Sequence, residues 1–168
     1  VRRIATEGLA TLGAERAAVL ALDRPLGEAA VASLAAEIEA SHCGHATPEL
    51  VAAMTTAQRV RDAVMADALL GAGEEGAVLI AGAGHVRRDR GVPWYLAARG
   101  AGEGVRSVAL LEVRQGVEDA AAMVEADAGL APFDYLWFTP RVDDEDPCEK
   151  FRAPLEKLPA RRTATPAR

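Results

Sequence analysis

Residues 77–93, A-V-L-I-A-G-A-G-H-V-R-R-D-R-G-V-P, decide the fold class. The aliphatic run at residues 77–81 predicts a strand, and such runs are typical of strands covered on both faces in a parallel sheet. Helices and strands are predicted to alternate after it, at residues 93–99, 105–113, 117–126 and 135–138. The alternation predicts an α/β fold, with helices packed on a mainly parallel central sheet. Three strands are few for this class, which indicates an incomplete domain.

The Gly-x-Gly formed by Gly82 and Gly84 does not belong to a nucleotide-binding signature. A dinucleotide-binding loop needs a third glycine at the start of a long helix, but Arg87 stands there and Pro93 delays any helix. No Gly-Lys-Ser/Thr follows, which excludes a P-loop. The turn instead presents His85 at the carboxyl end of a strand, where open α/β sheets bind ligands.

Three arginines close to His85 give this turn a positive charge: Arg87, Arg88 and Arg90. Guanidinium groups bind carboxylates and phosphates through paired hydrogen bonds, so one interpretation is a cationic loop that holds an anionic ligand. The other interpretation is a plain glycine turn with a hydrogen-bonded histidine and solvated arginines.

The clearest predicted helix begins at Pro48, with Thr47 as its N-cap, and ends before Gly71. Gln58 and Asp62 lie four residues apart on this helix and share one face. They either face a site or mark the edge of a solvated stripe. Two other helices are predicted, at residues 2–12 and 28–40.

The segment S-H-C-G-H, residues 41–45, follows a helix stop and contains His42 and His45. This His-x-x-His spacing can place two imidazoles on one zinc, copper or iron ion. A helix C-terminus also favours cationic histidine without any metal. Cys43 and Cys148 are the two cysteines of the chain, so at most one internal disulfide can form, and the redox compartment stays open.

Composition sets the remaining limits. The net charge of −6 provides no overall field that favours nucleic acid. No apolar run approaches the ~20 residues that a membrane-spanning helix needs. The length suits one domain, which we assign to residues 1–152. Residues 153–168 are basic and proline-rich with little to bury, which predicts a disordered tail.

Several of these segments together resemble a known family. They are H-C-G-H, A-Q-R-V-R-D-A-V-M-A, the A-G-A-G-H-V-R-R-D-R-G-V-P of the opening stretch, D-Y-L-W-F-T-P-R and D-P-C-E. In this order they resemble the ChaN-like family, the haem-binding uptake branch of the Tiki, TraB and erythromycin-esterase superfamily. The resemblance runs from His42 to Cys148.

The resemblance implies an α/β fold, a pocket bordered by histidines, and haem as cofactor in a role linked to iron uptake. His85 fills the histidine position of the strongest motif, and His42, Gln58 and Asp62 fall on other matching positions. In this hypothesis an imidazole ligates the iron. Arg87 or Arg88 pairs with the haem propionates, and Tyr95 is a candidate second axial ligand, because haem iron accepts histidine or tyrosine.

One family motif is missing, because the chain contains no Gly-Glu-x-His. The chain therefore resembles the C-terminal part of the family domain, and it could dimerise to complete its fold. The family also implies a bacterial cell-envelope location if a signal lies upstream. Two alternatives stay open: a metal-dependent hydrolase, with histidines and a carboxylate holding an ion such as zinc, and an inactive truncated fragment.

Overall fold

The computed structural model describes residues 4, 7–73, 75–113, 116–117, 119–125 and 128–156. Its helices are α1 (Ala14–Val19), α2 (Glu28–Ser41), α3 (Pro48–Leu70), α4 (Val92–Ala98), α5 (Ala120–Glu125) and α6 (Pro147–Glu156). Its strands are β1 (Val108–Glu112) and β2 (Tyr135–Thr139). Short 3-10 turns occur at Leu9–Leu12, Ala83–Val86 and Ala128–Leu130. The mixture of helices with parallel strands confirms the α/β class.

The long helix α3 begins and ends as the sequence predicts. The Thr47 hydroxyl accepts a hydrogen bond from the Leu50 amide, and Pro48 occupies the first turn, where its missing N–H costs nothing. Gly71 is the C-cap residue. Because α2 and α4 both pack against α3, this helix is the centre of the helical part.

The main core is formed by helices and the segment that follows α1, rather than by a sheet under helices. One face of α3 is buried through small side chains, including Ala63 and Ala66, which let neighbouring helices approach closely. The core cluster consists of Leu20, Ala21, Leu22, Val60, Ala63, Ala66, Val92, Tyr95 and Leu96. The sheet contributes less to the interior than its aliphatic sequence predicts, and Ala109 is its one fully buried residue in the described strands.

The sheet is parallel, as predicted, but has two strands in the described part of the chain. Val108 pairs with Tyr135, and Leu110 pairs with Trp137. The prediction of a buried strand at residues 77–81 is wrong. This segment has no strand assignment, a cavity of about 330 Å³ separates it from β1, and its Val78 and Ile80 are almost fully exposed.

At both ends of the chain, the observed elements differ from the predicted boundaries. Residues 9–12 form a 3-10 turn instead of part of an α-helix, and residues 2, 3, 5 and 6 of that predicted helix lie outside the described residues. Helix α6 continues to Glu156, so the first residues of the predicted tail are helical. Residues 157–168 lie outside the described part. None of the described helices has the length and apolarity needed to cross a membrane.

A disulfide joins the turn between α2 and α3 to the last described helix. Cys43 and Cys148 are bonded, with 5.5 Å between their Cα atoms and 105 residues of sequence separation. Cys43 has a φ of 54° and Gly44 one of 72°, so the chain turns through two left-handed residues at this point. The bridge therefore fastens α6 to the end of the α2–α3 hairpin.

Replacing Cys148 with serine should lower the free energy of unfolding by about 4 kcal/mol, because a bridge closing so long a loop restricts the unfolded chain strongly. Denaturant unfolding of wild type and Cys148→Ser measures this difference. The double variant Cys43→Ser/Cys148→Ser is the control and should match the single variant. Two titratable thiols in the oxidised wild-type protein would contradict the bridge.

Candidate functional site

The His85 imidazole is held by two polar side chains of helix α3. Its Nδ1 lies 2.5 Å from Oδ1 of Asp62, and Nε2 of Gln58 lies 3.0 Å from Nδ1 and 3.2 Å from Nε2 of the ring. Gln58 and Asp62 are one turn apart on α3, so both reach the same ring. The structure thus brings together three of the residues that the sequence singles out.

Asp62 is a buried carboxylate, with 2% of the residue exposed. Desolvation raises its pKa from 3.8 to about 6, against the opposing effects of the His85 hydrogen bond and of the positive charges of His85, Arg90 and Arg61. Asp62 therefore does not mark the edge of a solvated stripe. Above its pKa it is a buried negative charge whose close hydrogen-bonding partner is His85.

This pairing determines which nitrogen of His85 is available for chemistry. When Nδ1–H donates to the Asp62 carboxylate, Nε2 carries the lone pair in the neutral imidazole. Histidines that ligate metals commonly donate their other N–H to a carboxylate in this way, which fixes the tautomer and increases ligand basicity. His85 is therefore arranged to present Nε2 as a ligand or as a base.

The turn that carries His85 depends on Gly91 more than on the two preceding glycines. Gly82 has a φ of −61°, which other residues also adopt, and it caps the 3-10 turn Ala83–Val86. A Cβ on Gly84 would meet only the end of the Glu37 side chain. A Cβ on Gly91 would overlap the backbone carbonyl of His85 and lie 2.8 Å from the carbonyl oxygen of Arg87. The chain folds back so tightly there that a side chain has no room.

The arginines of the turn are paired with other groups of the protein. Arg87 forms two hydrogen bonds with Asp89, at 2.9 and 2.7 Å, and a third with the Gly129 carbonyl. Arg88 pairs with Asp134 at 2.7 Å. Arg87 is therefore not the solvated arginine of the plain-turn interpretation, whereas Arg88 stays exposed while it is paired. Their pairing with haem propionates stays a prediction.

A second buried contact joins the turn to α2, and sequence reasoning missed its α2 partners. Arg90, almost fully buried, donates to the Ser33 hydroxyl at 2.5 Å and forms an ion pair with Glu37. Ser33 and Glu37 are four residues apart on α2, a spacing that places both on one face of the helix. This spacing is the only sign in the sequence that they contact the same partner. A cavity of about 320 Å³ lies beside this contact and is also lined by Gly84 and Arg87.

His42 and His45 lie at the other end of α3. His42 is the C-cap residue of α2, and its Nδ1 lies 2.7 Å from the Ile38 carbonyl oxygen. At a rise of 1.5 Å per residue, Gln58 lies ~15 Å and Asp62 ~21 Å from Pro48 along helix α3. The two histidines are therefore distant from the residues that hold His85. Among the described residues, no group of three or more histidine, cysteine or acidic side chains could hold a metal ion. The interpretation of His42 as a residue at a helix C-terminus therefore accounts for its contact with Ile38.

Tyr95 lies in the core rather than at a site. None of its surface is exposed, and its hydroxyl accepts a hydrogen bond from Nε of Arg59 at 3.2 Å. Burial also raises its pKa, which disfavours the phenolate form. Tyr95 is therefore a core residue in this packing, and its role as a second axial ligand stays a prediction.

Replacing Gly91 with alanine should destabilise the protein by about 3 kcal/mol or more, because the new methyl group overlaps two backbone carbonyls. Gly82→Ala is the matched control and should cost less than about 1 kcal/mol, since its φ of −61° suits alanine and a Cβ there would lie 3.9 Å from the nearest atom, on His85. Thermal and denaturant unfolding compare the two variants. Equal stability of both would contradict the tight turn at Gly91.

Replacing Asp62 with asparagine should change how stability depends on pH. A carboxylate whose folded pKa is raised from 3.8 to about 6 makes the folded state lose stability as pH rises through that window. Asp62→Asn should therefore gain stability relative to wild type between pH 4 and pH 7, by up to about 3 kcal/mol. Denaturant unfolding at several pH values measures this, with the exposed Asp23→Asn as control. Parallel profiles for wild type and Asp62→Asn would contradict the buried charge.

Comparison with known proteins gives one match. The model of the family described as haem-binding uptake, Tiki superfamily, ChaN matches residues 1–96. The matched segment contains Gln58, Asp62 and His85 but not the two motifs quoted from residues 134–149. No curated protein and no solved structure matches the chain significantly. Because the family model covers 96 of the 168 residues, the protein belongs to the haem-binding uptake family of ChaN type in the Tiki superfamily.

Proposed function

We propose that the protein binds haem and that Nε2 of His85 would hold its iron. The observation that carries this proposal is the contact of 2.5 Å between His85 Nδ1 and the buried Asp62 carboxylate. It leaves Nε2 as the donor atom and holds the ring in one orientation. Membership of the haem-binding uptake family supplies the class of ligand.

The donor set fits haem better than it fits a free metal ion. A structural or catalytic metal site takes three or four ligands from the protein, and the described residues bring together no such group. Haem needs only one or two axial ligands from the protein. When bound, it supplies a redox-active iron whose other ligands are porphyrin nitrogens. A single well-oriented histidine is therefore enough.

The remaining residues of the site have distinct tasks in this proposal. Asp62 orients the ring and keeps the proton on Nδ1. The Gln58 amide lies 3.2 Å from Nε2 and must turn away when the ligand arrives, which its partly exposed position on α3 permits. Arg61 is exposed, and it donates to Gln58 at 3.5 Å. The Arg61 side chain can therefore turn toward a bound anionic group more easily than the Arg87 side chain, which is paired with Asp89.

Propionate recognition by Arg87 or Arg88 requires each guanidinium to exchange or share its present carboxylate. Arg88 is the better placed of the two, because about two fifths of its side chain is exposed while Arg87 is nearly buried. Membership of a haem-binding uptake family supports a role of this protein in iron uptake. The Cys43–Cys148 bridge supports a location in an oxidising compartment such as the cell envelope, where disulfides persist.

Titration of the purified chain with haemin tests the proposal. We expect a shifted Soret band at one equivalent, and at least a ~10-fold weaker affinity with an altered band for His85→Ala. His42→Ala is the matched control, because that histidine is bonded at the helix end, and it should leave the titration unchanged. Absence of a Soret shift, or the same shift in His85→Ala, would overturn the proposal.

A second function, metal-assisted or general-base hydrolysis, is favoured by the same Asp62–His85 pair, because a carboxylate-oriented imidazole is also suited to take a proton from water. Metal analysis of the purified protein distinguishes the two functions. Stoichiometric zinc that is lost in His85→Ala, together with an unchanged haemin spectrum, would select the hydrolase.

A further inference from the structure

A cavity of about 330 Å³ lies between residues 78–81 and the start of strand β1, and we call it the edge cavity. Its two walls are runs of consecutive residues, 78–81 on one side and 106–110 on the other. The remaining lining residues are all apolar: Ala83, Val86, Val92 and Pro93. The volume is far above the space that one water molecule needs, and it falls in the range of ligand-binding pockets.

The pairing of β1 with β2 determines which backbone groups of β1 face away from β2. The Tyr135 amide donates to the Ser107 carbonyl at 3.0 Å. In a parallel pair, the N–H and C=O groups of every second residue are directed to the same neighbouring strand. The odd-numbered residues of this segment therefore bond to β2. The residues of β1 that direct their backbone groups to its free edge are Val108, Leu110 and Glu112.

The backbone groups along the edge cavity have no partners within the described part of the chain. Residues 77–81 have no strand assignment, and no described residue donates to or accepts from their backbone. The same holds for the backbone groups that Val108 and Leu110 direct to the free edge. A row of unpaired N–H and C=O groups on a strand is a template for pairing with another strand.

The side chains beside this free edge are apolar. Val108 and Leu110 are 43% and 68% exposed. Across the cavity, Val78 and Ile80 are 89% and 94% exposed. Side chains alternate in direction along a strand, so a strand added to β1 places every second side chain beside Val108 and Leu110. The occupant of the cavity is therefore expected to be apolar at alternate positions.

Arg106 is the one charged residue in the lining of the edge cavity. It is exposed, and its guanidinium donates to the Val105 carbonyl at 2.8 Å. This contact leaves the guanidinium without a carboxylate partner among the residues that the structure describes. An acidic group at one end of the occupant would complement this charge.

We propose that the edge cavity binds an extended segment of another protein, which adds as a strand to the free edge of β1 and places an acidic side chain beside Arg106. In strand addition, main-chain hydrogen bonds provide affinity and alternate side chains provide specificity. A peptide presents donors and acceptors at the two-residue spacing of Val108 and Leu110. An apolar small molecule would leave those backbone groups unpaired. The proposal does not depend on haem binding.

Binding of a synthetic peptide to the full chain, without haem, tests the proposal. The probe is a fluorescently labelled Asp-Val-Thr-Ile-Thr-Val peptide with blocked ends, and its anisotropy is measured as the protein concentration increases. Two further peptides carry N-methyl groups on one or the other set of alternate residues, which removes the donors along one edge and keeps the side chains. We expect saturable binding of the probe, and at least ~10-fold weaker binding of one N-methylated peptide.

A substitution on the free edge of β1 provides the second test. Leu110→Pro should weaken binding of the probe by ~10-fold or more, because proline removes an N–H group that faces the cavity and its ring obstructs an added strand. The bonds from β1 to β2 use other residues and are kept. Leu110→Val is the matched control, since it retains the N–H group, and it should bind within ~3-fold of wild type. Circular dichroism confirms that each variant is folded.

A charge exchange tests the position of the acidic side chain. Arg106→Glu should weaken binding of the probe by ~5-fold and strengthen binding of the Lys-Val-Thr-Ile-Thr-Val peptide by a similar factor. Arg152→Glu, at an exposed arginine of α6 outside the cavity, should leave both affinities unchanged.

Three outcomes would count against strand addition at this edge. No binding of the probe to wild type would overturn the proposal. Equal binding of the probe and both N-methylated peptides would also overturn it, and would indicate a site for apolar groups alone. Affinities that do not respond to Arg106→Glu would overturn the placement of the acidic side chain.

Discussion

The hydrogen bond between Asp62 and His85 is the contact on which the candidate site depends. Asp62 belongs to α3, the helix against which its helical neighbours pack, and His85 belongs to the turn that leads toward the sheet. A buried carboxylate is costly, and its contact with the imidazole offsets part of that cost. Removing His85 would leave the Asp62 carboxylate buried without its close hydrogen-bonding partner. The same bond fixes the ring that we assign to haem.

The turn around His85 is a structural joint as well as a candidate site. The Arg88 amide donates to the Pro132 carbonyl, and its guanidinium binds Asp134, whose carboxylate also accepts from the Ser107 amide. The turn is thereby tied to the segments that enter both strands. Positive charge that looks available for ligands in the sequence is largely used for this internal bonding. A turn fixed by these hydrogen bonds is suited to carry a side chain whose ligating atom must be held in one position.

The sequence predicts the elements with strong local signals and fails where tertiary packing decides. Thr47 and Pro48 fix the start of α3 through capping chemistry that is local, so the prediction is confirmed. Residues 77–81 have the composition of a buried strand, but burial requires a covering layer that no local pattern reports. Tyr95 shows the same limit, since an aromatic side chain near a histidine motif can belong to the core. A helical spacing and a family motif single out Gln58, Asp62 and His85, but neither predicts that they contact one another or that Asp62 is buried.

The segment that enters β1 connects the sheet directly to the candidate site. The Ser107 hydroxyl donates to the Val86 carbonyl, next to His85, while the adjacent Val108 is an exposed residue of the sheet. A molecule that bound to this part of the sheet and disturbed the Ser107–Val86 hydrogen bond would act on the turn that presents the imidazole. By thermodynamic linkage, a ligand at His85 would then change the affinity for that molecule by the same factor.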